Sequence, residues 1–326
     1  MKKNVLITLA DKNYIEQAKT LFSSAYFNGG WDEDFLLLSF EIPEKKLNWF
    51  KNKGIKIIRC KKIDSTDNIF NKEHSLICIN KFYMFTDYFK KWDKVIYLDS
   101  DIIVKSSLLE LKKYKGFYAT IDPTLRLKNQ IISGYKYNFL RYLFKKSFNA
   151  GVLVFNTEII KENSFNELKN LFNKYKNKIK YSDQTILNLY FSNKIKELPL
   201  VYNVYNKIMD EKIKPINLHI IINSQDKKPW EIESRYYNEW SYFNKIANKI
   251  YIKPIKKTHI LSEKEIIRYS NILKSRLKKL HYKELFYKTK ELIKKPFRQL
   301  SYFKGKIGLI IKKKNKKLYY FLRGKN

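Results

Sequence analysis

The chain has 326 residues, of which 44% are hydrophobic and 16% aromatic, and a formal net charge of +36. That apolar content excludes a disordered chain, and the length suffices for one large core or two smaller ones. Cys60 and Cys78 are the only cysteines and form no C-x-x-C pair, which excludes a disulfide framework and a cysteine zinc site and makes a reducing cytoplasm the simplest setting. The basic balance points to an acidic partner: nucleic acid, an anionic membrane face or a phosphorylated substrate. The joint abundance of Lys, Asn, Ile and Tyr fits a biased source genome as well.

From the N-terminus, Val5 to Ala10 predicts a buried strand that ends at Asp11, too short for the apolar core of a secretory signal. No run of about 18 apolar residues occurs anywhere, so neither export nor a membrane span is expected. Ile15, Ala18, Leu21, Phe22 and Ala25 recur at helical spacing and predict a helix over Tyr14 to Tyr26, ended by Asn28-Gly29-Gly30. Asp34 to Phe40 reads as a strand, Pro43 to Lys53 as a helix and Gly54 to Cys60 as a third strand. The alternation predicts an α/β fold with a parallel sheet. A helix over Ile77 to Lys91 leads into the apolar, β-branched stretch Lys94 to Val104, which carries Asp99 and Asp101. A strand with period 2 puts both carboxylates on one side where it emerges from the sheet, a place for a hard divalent cation completed by waters and phosphates.

Further along, the sequence predicts a short helix over Ser107 to Lys113 and a strand over Gly116 to Ile121. Pro123 to Lys146 is polar and aromatic and takes no assignment. A strand follows over Asn149 to Asn156, then helices over Thr157 to Lys178 and Ser182 to Phe191, strands over Leu198 to Tyr202 and Ile216 to Ile222, and a helix over Tyr236 to Ile250.

Several of these stretches together resemble glycosyltransferase family 8. The most specific are Tyr97-Leu98-Asp99-Ser100-Asp101 and Phe148-Asn149-Ala150-Gly151-Val152-Leu153-Val154-Phe155-Asn156, supported by Ala10-Asp11-Lys12-Asn13-Tyr14 and Ser182-Asp183-Gln184. The resemblance covers residues 3 to 230 and implies a GT-A fold: a Rossmann-like, mostly parallel sheet flanked by helices. It further implies transfer of a hexose from a UDP-sugar to a glycan or lipid-linked acceptor, with Mn²⁺ or Mg²⁺ and retention of configuration, as in lipopolysaccharide or capsule synthesis. By the resemblance Ala10, Asp11, Asn13 and Tyr14 hold the uracil and ribose, and a tyrosine ring can stack on a base. A helix-capping role for Asp11 is the alternative. Lys81 matches a basic position beside the donor, and Lys228, in Lys228-Pro229-Trp230, a diphosphate contact. Asp99, Asp101 and His219 become the metal ligands. The family's glycine three residues after the histidine is Ile222 here, and the gap to the lysine is longer. Asp122, Asn149, Asp183 and Gln184 match positions around the transferred sugar and acceptor, where carboxylates and amides suit hydroxyl recognition.

Two rival readings exist. D-x-D after an apolar strand also opens haloacid-dehalogenase phosphatase sites, but there it sits on the first strand, and three strands precede it here. A basic nucleic-acid-binding protein would fit the charge, yet no helix-turn-helix, zinc finger or RNP motif is present, so no nucleic-acid partner is expected. The charge is concentrated at the end: residues 251–326 hold 24 Lys+Arg against 4 Glu, while residues 1–250 hold 43 against 27 Asp+Glu. The sequence thus predicts a transferase domain over 1–250 and a basic, amphipathic helical region over 251–326. Tyr302 to Leu322, with its lysines among apolar side chains, reads as an interfacial helix, which would hold a cytoplasmic enzyme on the anionic inner membrane face.

Overall fold

A computed structural model describes residues 3–63, 76–142, 144–210, 212–220, 227–255 and 258–287. The first half alternates strand and helix: β1 (Asn4–Ala10), α1 (Ile15–Phe27), β2 (Asp34–Phe40), α2 (Glu44–Asn52) and β3 (Lys56–Cys60). Two 3₁₀ segments, Leu76–Phe85 and Asp87–Lys91, then lead into β4 (Lys94–Leu98) and β5 (Ile102–Val104). β6 (Phe117–Arg126) and β7 (Lys146–Asn156) precede α3 (Ser164–Tyr175) and α4 (Ser182–Tyr190). β8 (Ile195–Leu198), β9 (Val204–Tyr205), β10 (Asn217–His219) and α5 (Tyr237–Ile246) follow.

Seven strands form one sheet in the order β3-β2-β1-β4-β7-β6-β8. β1 to β4 run parallel to one another, β7 runs antiparallel to β4 and β6, and β6 pairs parallel with β8. Val5, Leu6, Ile7, Val95 and Ile96 are fully buried, the continuous apolar pattern of a strand covered on both faces. This is the expected α/β architecture, a mostly parallel sheet flanked by helices. α1 ends where Gly30 takes φ +66°, a conformation cheap only for glycine, and the Gly29 amide satisfies the Ser24 carbonyl at 3.1 Å.

Several expectations need correction. The stretch Lys94 to Val104 is not one strand: the chain leaves the main sheet after Leu98, and β5 joins β10 and β9 in a second, three-stranded sheet. An apolar run has the same pattern whether its strand stays in one sheet or changes to another. Ile77 to Lys91 is 3₁₀ rather than α-helix, and so is the short helix expected over Ser107 to Lys113, which lies at Leu109–Lys113. The helix expected from Thr157 begins at Ser164, whose Oγ accepts the Lys161 amide at 2.9 Å. The strand expected over Leu198 to Tyr202 lies at Ile195–Leu198 and stops before Pro199, which has no amide hydrogen to continue a ladder. The helix expected over Tyr236 to Ile250 is α-helical only to Ile246. The unassigned stretch after Pro123 continues β6 to Arg126 and then forms 3₁₀ turns held against Ile179 by a bridge from Ile131.

The chain divides into two compact units, Met1–Ser275 and Arg276–Asn326. Residues 254–275 belong to the first: the Ser107 amide donates to the His259 carbonyl at 2.8 Å, the Val201 amide to Ser270 Oγ at 3.2 Å, and Leu273 is fully buried. Of the second unit, residues 276–287 are described and are helical, with Tyr282 and Phe286 exposed. The stretch Tyr302 to Leu322 lies outside the described residues.

Candidate active site

The two aspartates occupy a turn. The Asp99 amide donates to the Gly151 carbonyl at 2.8 Å, holding the turn to β7, and the Ile102 amide closes it onto the Asp99 carbonyl at 3.1 Å. Antiparallel pairing sets His219 opposite Ile102, so the last residue of β10 arrives beside the residue that follows Asp101. His219 Nε2 lies 3.2 Å from Asp101 Oδ1 and 3.8 Å from Asp99 Oδ2, and the three ligand atoms all fall within 4.8 Å of one another. Two carboxylate oxygens and one imidazole nitrogen facing a common point form a donor set that fits Mn²⁺ or Mg²⁺. The imidazole also stands close to Gly151 of β7. A Cβ on Gly151 would stand 2.8 Å from His219 Nδ1 and closer still to Cε1, so only glycine fits there. Gly151→Ala is therefore expected to displace the imidazole and weaken Mn²⁺ binding, with the melting temperature as the companion measurement.

Charge at the turn is balanced by two lysines. Lys228 Nζ pairs with Asp101 and reaches the Ile220 carbonyl at 2.8 Å. Burial raises the Asp101 carboxyl, but its contacts with His219 and Lys228 outweigh that and hold the group well below the usual carboxylate range. Lys81, only 4% exposed, bridges Asp99 Oδ1 at 3.0 Å and Asp183 Oδ2 at 2.8 Å and lies 3.3 Å from the Ala150 carbonyl. Burial alone would lower its pKa; Asp183 and Asp99 reverse that and keep the ammonium charged. Tyr97 donates to Asp99 Oδ1 at 2.7 Å, and its own pKa is raised by burial and then by the Asp99 charge.

Beside the turn opens a cavity of about 190 Å³ lined by Ala10, Asp11 and Tyr14 from one wall and by Cys78, Lys81 and Asp99 from another. Asp11 Oδ1 accepts the Asn13 and Tyr14 amides at 2.8 and 3.2 Å, so the residue both shapes the turn into α1 and lines the cavity. Asn13 is exposed and is not among the lining residues. The Tyr14 ring meets Trp230 edge-on at 5.6 Å, and Lys228 Nζ lies 5.6 Å from the same indole. Burial pushes the Cys60 thiol up to about 12 and also raises Cys78, so neither cysteine offers a thiolate.

On the other side, α4 presents Asp183 to Lys81 and Gln184 to β7. Gln184 Oε1 lies 3.3 Å from Asn149 Nδ2 and 3.2 Å from the Ala150 amide, and Asn188, one helical turn on, clamps both backbone groups of Phe148 at 2.9 Å. Asp122 is a position on β6 in register with Ser147. The structure thus joins Lys81, Asp99, Asp101, Asn149, Asp183, Gln184, His219 and Lys228 into one cluster. Sequence reasoning missed Tyr97, Asn188 and Asn203. The first two carried a signal, since Tyr97 precedes Asp99 by two along a strand and Asn188 follows Gln184 by four along a helix. Asn203, which contacts His219, Asn149 and Thr120, carried none.

Residues 5–234 match the sequence profile described as Glycosyl transferase family 8. Glycosyltransferase GlyA of Streptococcus pneumoniae is 24% identical over 288 residues, 81% of this chain and 38% of that protein. The lipopolysaccharide 1,2-glucosyltransferase of Escherichia coli is 29% identical over 231 residues, 63% of this chain and 61% of that protein. The chain spans well under two thirds of GlyA. In fold it is similar to the galactosyltransferase LgtC, solved with donor and acceptor sugar analogues, at a TM-score of 0.59 and 20% identity, covering 80% of this chain and 98% of that one.

Proposed function

The chain belongs to glycosyl transferase family 8, and on that footing we propose that it moves a hexose from a UDP-sugar to a glycan or lipid-linked acceptor, with a divalent metal and with retention of configuration. The observation that carries this reading is the convergence of Asp99, Asp101 and His219 at the edge of the cavity lined by Asp11 and Tyr14. A bound Mn²⁺ or Mg²⁺ would supply Lewis acidity, neutralising charge on the departing nucleoside diphosphate. The chain's own residues do the rest. Tyr14 and Asp11 present a ring and a carboxylate for the base and ribose. Asn13, though exposed, keeps its proposed place beside them. Lys228 stands ready to exchange Asp101 for phosphate oxygens, and Lys81 fixes Asp99 and Asp183 in one geometry. Asp183, Asn149 and Gln184, with Asp122, orient the sugar and acceptor hydroxyls.

A panel of nucleotide sugars tested for hydrolysis and transfer checks this reading. UDP-hexoses with Mn²⁺ should release UDP, and the release should stop with excess chelator. Turnover of no nucleotide sugar, or metal-independent turnover, counts against it. The likeness to a lipopolysaccharide glucosyltransferase supports a bacterial surface glycan as acceptor.

We further propose that the basic region beyond the transferase domain rests on an anionic membrane. Its support is the excess of 24 Lys+Arg over 4 Glu across 251–326 and the exposed apolar side chains among them, Ile252, Ile260 and Ile267 in the first unit and Tyr282, Leu285 and Phe286 in the second. Each basic residue near an anionic leaflet contributes about 1 kcal/mol. Among the described residues no helix is long and apolar enough to cross a membrane. Because residues 254–275 pack within the first unit, the informative truncation is after Ser275. The shortened chain should keep UDP release and lose most sedimentation with anionic liposomes; unchanged sedimentation would place the contact elsewhere.

A further inference from the structure

We propose that Asn203 is a positioning residue that fixes His219 in the one neutral tautomer able to ligate a divalent cation, its own orientation being set by the Gly151 amide through Asn149. The inference deepens the metal reading above and depends on it.

The direction of each hydrogen bond in this chain is forced from one end. The Gly151 backbone N–H can only donate, so the Asn149 atom 2.8 Å from it is the amide oxygen. That oxygen also accepts from Asn203 Nδ2 at 2.9 Å, and Asn203 Nδ2 donates in addition to Thr120 Oγ1 at 3.1 Å. Both amide hydrogens of Asn203 are then engaged, and its Oδ1 faces His219 Nδ1 at 2.9 Å. A carbonyl oxygen only accepts, so Nδ1 carries the proton and Nε2 turns its lone pair toward Asp99 and Asp101.

Burial makes the constraint strong. Asn203 and Thr120 are fully buried and His219 is 4% exposed, so water cannot replace a lost partner. Reversing the Asn203 amide would set an N–H against Nδ1–H and an oxygen against the Asn149 oxygen, leaving two buried groups unsatisfied. The imidazole is also held by the missing Cβ of Gly151, which lets β7 approach the ring. The same glycine therefore provides both the space for the ring and the donor that begins the chain.

The test reads the tautomer directly. The full chain has four histidines, and labelling them with ¹⁵N gives long-range ¹H–¹⁵N spectra in which His219 is assigned by its loss in His219→Ala. At one Mg²⁺ concentration, diamagnetic and just sufficient to load the wild type, the wild type should show His219 protonated at Nδ1. Asn203→Leu, of similar volume but without an acceptor, should shift the ring toward the Nε2–H form and weaken Mn²⁺ binding, measured by titration calorimetry without donor, by about 10- to 100-fold. Asn203→Asp keeps an oxygen facing Nδ1 and should keep the wild-type tautomer, while its second oxygen, set against the Asn149 oxygen, lowers the melting temperature. Protonation at Nε2 in the wild type overturns the proposal, as does Asn203→Leu with unchanged tautomer and unchanged Mn²⁺ affinity. Should Asn203→Leu fail to fold, the wild-type and Asn203→Asp spectra decide. If instead His219→Ala binds Mn²⁺ as the wild type does, the metal reading falls and this inference with it, a result distinct from failure of the Asn203 step alone.

Discussion

Asp101→Asn is expected to abolish most donor turnover while leaving the fold intact. The amide keeps the volume of the carboxylate but withdraws one of the two anionic oxygens that face His219 Nε2, from 3.2 Å in the case of Asp101. Loss of a direct ligand should exceed the roughly 10- to 100-fold cost of disturbing a group that merely supports one. Stability should fall, though less than in the Lys81 variant below, because Lys228 loses the Asp101 charge but retains the Ile220 carbonyl at 2.8 Å. UDP release at saturating Mn²⁺ and the thermal melt measure the two halves. Turnover near the wild-type level in the variant would remove Asp101 from the metal site.

Lys81→Met should be the most destabilising single change at the site. Its ammonium lies between Asp99 at 3.0 Å and Asp183 at 2.8 Å, and the lysine side chain is only 5% exposed. Removing one partner from such a group leaves buried, uncompensated charge, at a cost of about 3–5 kcal/mol. For a unit of this size that lowers the melting temperature by on the order of 10 °C. Two controls identify the cause. Adding Asp183→Asn to Lys81→Met should recover much of the loss, since it deletes one of the two repelling charges. Mn²⁺ should raise the melting temperature of the single variant more than that of the wild type, because a bound cation offsets the Asp99 charge. A melt unchanged by Lys81→Met would show that the bridge carries no stability.

What could be read from the sequence follows from which signals are local. α1 and β2 were legible because apolar side chains recur at helical spacing in the one and run continuously in the other, a strand buried on both faces. The change of sheet at Asp99 to Asp101 was not, since Ile102, Ile103 and Val104 are as apolar in the second sheet as they would be in the first. The carboxylates nevertheless converge as expected, by a turn rather than by strand alternation. The antiparallel direction of β7 was also hidden, because pairing partners belong to the fold and not to the segment. Lys81 shows the limit most clearly. One lysine among many in the sequence, it is distinguished only by the two carboxylates that folding brings to it. His219 came from motif order, whereas its pairing opposite Ile102 and its contact with Asn203 depend on strands that lie far apart in the chain.

The most direct test is to titrate the full chain with UDP in the presence of Mn²⁺ and again with excess chelator. If Asp99, Asp101 and His219 hold a cation beside the cavity lined by Asp11 and Tyr14, nucleotide and metal share one site and must strengthen each other's binding reciprocally. The expected result is UDP binding that weakens by at least about tenfold without metal, a coupling of about 1.4 kcal/mol, and a coupling that disappears in Asp101→Asn. UDP binding of equal strength with and without Mn²⁺ would contradict a metal-assisted nucleotide-sugar site at this turn.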